Sequence, residues 1–139
     1  MKILLDTNVV LDVLLDREPF VHQAAKLFEM IEAGHLEGVV GATTITTIDY
    51  FLKKYLSAKE AVSTLKKLLK LFEVAPVNRL VLEDALDSGF LDFEDALLHA
   101  AALHVGAQGI VTRDDKGFCK AKLAVYTPER FLNGLSLND

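Results

Sequence analysis

Acidic side chains follow two short apolar runs of this sequence, close to the points where the runs end. Asp6 comes directly after Ile3-Leu4-Leu5, and Asp114 comes shortly after Gly109-Ile110-Val111. A third acidic segment, Asp92-Phe93-Glu94-Asp95, lies between them at the start of a predicted helix. Because the carboxyl ends of parallel strands meet at one edge of an α/β sheet, these acids converge if the two strands are neighbours.

Carboxylates gathered at one edge repel one another, so such a cluster is tolerated when it binds a hard cation or shares protons. Mg²⁺ and Mn²⁺ prefer oxygen ligands and leave coordination positions for water and phosphate oxygens. The three acidic segments therefore predict a site for Mg²⁺ or Mn²⁺.

Each acid also has an ordinary structural explanation. Asp6 is a good helix N-cap, Asp92 and Asp95 have the spacing of a capping box, and the segment from Asp114 to Gly117 is typical of a turn. Capping leaves carboxylate oxygens available for a cation, so the two interpretations are compatible. Only the metal site explains why all three acidic segments should meet.

The elements that must position these acids are read from apolar periodicity and from Gly, Pro and capping residues. Strands are predicted at residues 2–5, 38–41, 73–77, 109–112 and 124–127. Helices are predicted at 8–15, 19–33, from 43 or 44 to about 55, 58–72, 78–89 and 92–104. Strands that alternate with helices predict an α/β fold with a parallel sheet covered on both faces.

The composition favours a compact protein. The chain has 139 residues, of which 51% are hydrophobic, and this predicts a single domain over residues 1–139. Asp6 and Asp12 interrupt the apolar N-terminus before it reaches the length of a signal peptide, and no later stretch is predicted to span a membrane. The single Cys119 excludes a disulfide framework, so we expect a cytoplasmic protein.

Charge is distributed unevenly. The net charge of -5 argues against a general nucleic-acid-binding surface, but residues 53–79 contain seven basic and two acidic side chains. Lys66 and Lys67 lie in the predicted helix 58–72, where they either form a solvated face or contact phosphate.

Three sequence blocks together resemble the PIN-domain nuclease family, over nearly the whole chain. They are Leu5-Asp6-Thr7-Asn8, Asp92-Phe93-Glu94-Asp95-Ala96-Leu97 and Val111-Thr112-Arg113-Asp114, the last followed by Phe118. The resemblance implies a three-layer α/β/α sandwich with a five-stranded parallel sheet. It also implies metal-dependent cleavage of RNA, and many small single-domain members are VapC-like toxins of toxin–antitoxin pairs.

By this resemblance Asp6 and Asp95 are the principal metal ligands, with Asp114 supporting the same site. The family usually carries a Glu where this chain has Asp49, which either replaces that Glu or is an exposed helical acid. Many relatives also place an acid directly before the Phe of the last block, where this chain has Gly117. Asp114 or Asp115 must then supply the fourth carboxylate, and Asp114 is favoured because it is nearer the strand end.

The remaining polar residues complete a hypothetical mechanism. Asp49 and Asp114 position a second cation or the attacking water. Asn8 and Thr112 orient carboxylates, and Arg113 contacts a substrate phosphate. His99 lies one turn after Asp95 and is either a packed side chain or a ligand.

The predicted function is that of an Mg²⁺- or Mn²⁺-dependent endoribonuclease, the toxin of a toxin–antitoxin pair. Its predicted partners are RNA, an antitoxin protein and a second copy of the chain. The alternatives are a catalytically weak PIN-like module that binds RNA or protein, and an aspartyl-phosphate phosphatase. The phosphatase usually needs a second Asp two residues after the first, at the position of Asn8.

Overall fold

A computed structural model describes residues 1–134, which form five strands and seven α-helices. The strands are β1 (Lys2–Leu5), β2 (Glu37–Gly41), β3 (Glu73–Ala75), β4 (Gly109–Val111) and β5 (Ala124–Tyr126). The helices are α1 (Thr7–Leu14), α2 (Val21–Glu32), α3 (Ala42–Leu52), α4 (Ala58–Leu71), α5 (Arg79–Leu86), α6 (Phe93–His104) and α7 (Pro128–Gly134). A 3-10 helix, Asp115–Phe118, lies between β4 and β5.

The five strands form one parallel sheet in the order β3-β2-β1-β4-β5. β1 is central, and Ile3 is paired with Gly38 of β2 on one side and with Gly109 of β4 on the other. The ladder continues past β1, since the amide of Asp6 donates to the carbonyl of Val111 at 2.9 Å. β1 and β4 are therefore neighbours, as the convergence of their acids requires.

Helices cover both faces of the sheet. Ile3 and Leu5 of β1 lie in one buried cluster with residues of α1, α2, α3 and α4, and Leu4 lies in the other with residues of α5 and α6. Successive side chains of a strand point to opposite faces, so β1 contributes to both clusters. The predicted three-layer α/β/α sandwich with a five-stranded parallel sheet is confirmed.

Element boundaries differ from the predictions at several points. β3 ends at Ala75 rather than at residue 77, because Pro76 has no N–H to continue the ladder. α3 begins at Ala42 with Gly41 as its cap, and the hydroxyl of Thr44, one of the two predicted caps, instead contacts that of Thr7 at 2.8 Å. The 3-10 helix and α7 were not predicted.

The predicted domain of residues 1–139 includes residues 135–139, which lie outside the described part of the chain. None of the helices formed by residues 1–134 is long and apolar enough to cross a membrane.

Candidate active site

Asp6 lies at the carboxyl end of β1 and caps α1. One carboxylate oxygen accepts a hydrogen bond from the amide of Thr7 at 2.7 Å, and the other accepts one from the hydroxyl of Thr112, also at 2.7 Å. The residue is 7% exposed. Burial raises the pKa of the Asp6 carboxyl, the two hydrogen bonds oppose that rise, and the nearby carboxylates of Asp114 and Asp92 add to it.

Asp95 lies in the first turn of α6. Its amide donates to the Asp92 carboxylate at 3.0 Å, so Asp92 is the N-cap of this helix. Burial and then the carboxylates of Asp6, Asp92 and Asp114, in that order, raise the pKa of Asp95 from its ordinary value of 3.8 to about 7. These mutual effects show that the three predicted acidic segments meet at one place.

Gly117 separates the carboxylates of Asp95 and Asp114. A Cβ atom at Gly117 would lie 2.8 Å from Oδ2 of Asp95 and 3.0 Å from Oδ2 of Asp114. The two oxygens therefore face the same small space, which the missing side chain of Gly117 leaves open. Asp114 is held there by its amide, which donates to the Thr112 hydroxyl at 3.0 Å. That hydroxyl thus links Asp114 to Asp6.

The donor set fits a hard divalent cation. All of its ligating atoms are carboxylate oxygens, and each oxygen has two lone pairs, so the hydrogen bonds of Asp6 do not prevent coordination. Within residues 1–134, no three His, Cys, Asp or Glu side chains already lie close enough together to hold a metal ion. A bound cation would therefore have to draw these mutually repelling carboxylates closer together.

A cavity of about 290 Å³ opens beside the acids. Asp92, Asp95 and Asp114 line it together with Lys116 and Lys120. Sequence reasoning did not single out these two lysines. The only signal for them was their position, within six residues of Asp114. They place positive charge beside a cluster of negative charge, as binding of an anionic polymer at this site would require.

Several predicted site residues lie apart from this cluster or make other contacts. Asp49 forms an ion pair with Lys53 at 2.9 Å, and Asp115 lies 3.9 Å from Arg130. Neither acid is among the main causes of the raised pKa of Asp6 or Asp95. Asp114, rather than Asp115, therefore faces the other carboxylates.

Lys66 and Lys67 are exposed on α4, which packs against α3 and the edge strand β3. Asp6 and Asp114 instead follow β1 and β4, and these two strands are separated from β3 by β2. The position of these two lysines agrees with the interpretation of α4 as a solvated face.

The side chains of Asn8 and His99 are both predicted near the acids and differ in their hydrogen-bond partners. Oδ1 of Asn8 is buried without a hydrogen-bond partner in the described part of the chain. His99 is buried, stacks on Phe90 with ring centroids 5.0 Å apart, and accepts a hydrogen bond from the amide of Lys122 at 3.0 Å. Burial lowers the pKa of His99, with a smaller contribution from Lys122. His99 is thus a packed side chain.

The side chain of Arg113, for which a phosphate contact was predicted, is 28% exposed and forms an ion pair with Asp12. Its Nε donates to Oδ2 of Asp12 at 2.7 Å and its Nη2 donates to Oδ1 at 3.2 Å. Asp12 lies on α1, is 0% exposed, and is also 3.0 Å from Nε of Arg17. Sequence reasoning missed Asp12 as a site-related residue, although an acid within an otherwise apolar helix needs a partner.

Comparison with known proteins gives a family match and a relative that aligns with most of the chain. The model of the family described as PIN domain matches residues 2–116. Ribonuclease VapC1 of Aquifex aeolicus (strain VF5) is 27% identical, over 94% of this chain and 92% of that protein.

Two solved structures have a similar fold. The crystal structure of FitAcB from Neisseria gonorrhoeae has a TM-score of 0.71 at 22% identity, covering 91% of this chain and 98% of that chain. A toxin-antitoxin complex from Klebsiella pneumoniae has a TM-score of 0.69 at 23% identity, covering 90% and 96%.

Proposed function

The chain belongs to the PIN domain family, and from this premise we propose that it is an Mg²⁺- or Mn²⁺-dependent endoribonuclease, the toxin of a toxin–antitoxin pair. The observation that carries the proposal is that Asp95 and Asp114 face the same space beside Gly117 while the Thr112 hydroxyl links Asp114 to Asp6. The similarity to a ribonuclease supports RNA as the substrate.

Asp6, Asp95 and Asp114 would hold the cation. When bound, Mg²⁺ or Mn²⁺ supplies Lewis acidity toward water and toward the phosphate oxygens of the substrate. The chain's own residues fix the ligands: the Thr112 hydroxyl binds both the Asp6 carboxylate and the Asp114 amide, and Asp92 caps the turn that carries Asp95. Lys116 and Lys120, which line the cavity beside the acids, would bind phosphates of the RNA.

The phosphatase alternative is disfavoured by Asn8. Phosphatases of this kind usually need a second Asp two residues after the first, and the residue two positions after Asp6 is Asn8. The weak-module alternative rests on Asp49 in place of the family's Glu and on Gly117 in place of an acid, and Asp49 forms an ion pair with Lys53. Since three acids converge without Asp49, we favour the nuclease.

The proposed protein partner is an antitoxin, which the similarity to a toxin-antitoxin complex supports. An Arg or Lys side chain of the antitoxin, offered to Asp6, Asp95 and Asp114, would neutralise the carboxylates that the cation needs. Inhibition would then compete with metal binding. A homodimer in the cytoplasm is part of the same proposal.

The proposal is tested by incubating the purified protein with a structured RNA in EDTA, Mg²⁺ or Mn²⁺. We expect internal cleavage in both metals and none in EDTA. We also expect Mn²⁺ to raise the melting temperature of the protein, since a ligand that binds only the folded state stabilises it. Binding of RNA without cleavage at millimolar Mn²⁺ would contradict the nuclease and favour the binding module.

The lysines beside the acids give a separate prediction. We expect the double variant Lys116→Gln/Lys120→Gln to bind RNA more weakly and with a smaller salt dependence, by about 0.7 log-log units for each phosphate that it no longer neutralises. The matched control is Lys66→Gln/Lys67→Gln, which removes the same charge from α4. Fluorescence anisotropy at several KCl concentrations, with Asp95→Asn in every sample to prevent cleavage, measures both slopes. Equal slopes for the two double variants would contradict the assignment.

A further inference from the structure

Asp12 and Arg113 form a buried ion pair that connects α1 to the segment after β4. The side chain of Asp12 is fully enclosed, and Arg113 binds both of its oxygens with one edge of its guanidinium group. The ring of Phe20 covers the guanidinium plane at 3.8 Å. Arg113 is therefore held on one edge and on one face, which leaves it little freedom to move.

The position of Arg113 in the chain connects this pair to the acids. It lies between Thr112, which binds Asp6, and Asp114, which faces Asp95 across Gly117. Asp12 lies on the same helix that Asp6 caps. Arg113 is thus next to the proposed ligand Asp114 in the chain, and the ion pair links this position to the helix that the proposed ligand Asp6 caps.

Stability alone is a weak explanation for the pair. Taking a carboxylate and a guanidinium out of water is costly, and apolar residues of similar volume often stabilise a protein equally well. The helix around Asp12 is otherwise apolar, with Val9, Val10 and Leu11 all buried. A geometric role explains the charge better, because a bidentate Arg–carboxylate contact fixes direction as well as distance.

We propose that Asp12 is a positioning residue, which acts through Arg113 to hold the carboxylate of Asp114 opposite those of Asp6 and Asp95. This inference rests on the proposed function, because it assigns these three acids to one cation site. The other contacts of Asp114 are a hydrogen bond to the Thr112 hydroxyl and bonds to Gly117 in the same 3-10 turn. The ion pair adds a direct link from this segment to α1, beside the hydrogen bond that the Thr112 hydroxyl donates to the α1 cap Asp6.

The test compares three variants. Asp12→Asn and Arg113→Lys weaken the pair while keeping the size of Asp12 and the charge of Arg113. Arg17→Gln is the matched control, because Arg17 also pairs with Asp12 but lies in the connection between α1 and α2, away from Asp114. For each variant, the readouts are the melting temperature with and without Mn²⁺, amide exchange of residues 113–118 without metal, and kcat and KM for RNA.

We expect Asp12→Asn and Arg113→Lys to lower kcat at least about tenfold with KM changed less than about threefold, as a misplaced ligand would. They should also reduce the Mn²⁺-induced rise in melting temperature and speed amide exchange in residues 113–118. Arg17→Gln should leave kcat, the Mn²⁺ response and that exchange unchanged. If Asp12→Asn does not fold, Arg113→Lys alone decides the outcome.

Two results would overturn the proposal. A raised KM with unchanged kcat in Arg113→Lys would make Arg113 a direct phosphate ligand, and equal losses in Arg17→Gln would make the pair purely stabilising. A wild-type protein that binds Mn²⁺ but cleaves no RNA would refute the nuclease instead. The Mn²⁺ response and the amide exchange would then still test the positioning role.

Discussion

Replacement of Asp95 by Asn is expected to abolish RNA cleavage while leaving the protein folded and, without metal, at least as stable as the wild type. The variant removes a proposed cation ligand, and a loss of several kcal/mol of transition-state stabilisation lowers the rate at least about a hundredfold. It also removes a carboxylate that burial and four neighbouring acids disfavour in its charged form. Cleavage assays and thermal melting of the same samples measure both effects.

The stability difference between Asp95→Asn and the wild type should depend on pH. Because the pKa of Asp95 is raised from 3.8 to about 7 in the folded protein, the folded state binds this proton more tightly than the unfolded state does. The stabilisation of the folded state by this proton is therefore complete below about pH 4 and is lost as the pH rises through about 7. Without metal, the difference in melting temperature between Asp95→Asn and the wild type should therefore shift in favour of the variant as the pH rises over this range.

The matched control is Asp115→Asn, which removes an acid next to Asp114 in the chain that contacts Arg130 instead of the cluster. This variant should cleave RNA at nearly the wild-type rate. Wild-type activity in Asp95→Asn, or equal losses in both variants, would show that the ligands are assigned wrongly.

Gly117→Ala is expected to lower the cleavage rate on the order of ten- to a hundredfold with little change in melting temperature. The new Cβ would lie 2.8 Å from Oδ2 of Asp95 and 3.0 Å from Oδ2 of Asp114, so both carboxylates must move. Small displacements of reacting groups, on the order of 1 Å, have effects of this size. Gly117 is not among the described glycines with positive φ, so its backbone accepts Ala without strain.

Cys119→Ser is the control for Gly117→Ala, since Cys119 is exposed in the same segment and the change in side-chain size is small. It should retain activity and the Mn²⁺-induced rise in melting temperature, and Gly117→Ala should lose most of both. A Gly117→Ala protein that cleaves RNA normally would show that the space between the two carboxylates is not where the cation binds.

The sequence was sufficient to predict the sheet and the meeting of the acids. Apolar runs bounded by Gly, Pro or polar residues mark all five strands, and parallel strands place their following residues at one edge. Asp6 and Asp114 were predictable because each follows a strand, and Asp95 because Asp92 marks the start of its helix.

The contacts of individual polar side chains were not predictable in this way. The pairing of Arg113 with Asp12 joins residues 101 positions apart, and nothing local distinguishes it from a phosphate contact. Asp49 was assigned to the metal site because the PIN-domain family usually has a Glu at this position. In the structure, Asp49 pairs with Lys53, one helical turn away. Lys116 and Lys120 became relevant only when the 3-10 turn placed them beside the acids.

The central place of β1 in the sheet has a consequence for the synthesis of the protein on the ribosome. β1 is made first, yet its neighbour β4 and the acid that follows β4 are made only after more than a hundred residues. Until then, one side of β1 lacks its partner strand and the acidic cluster lacks Asp114. A chain that ends before Asp114 therefore lacks one of the three proposed cation ligands, and the proposed site is complete only after β4 and the segment that follows it have been made.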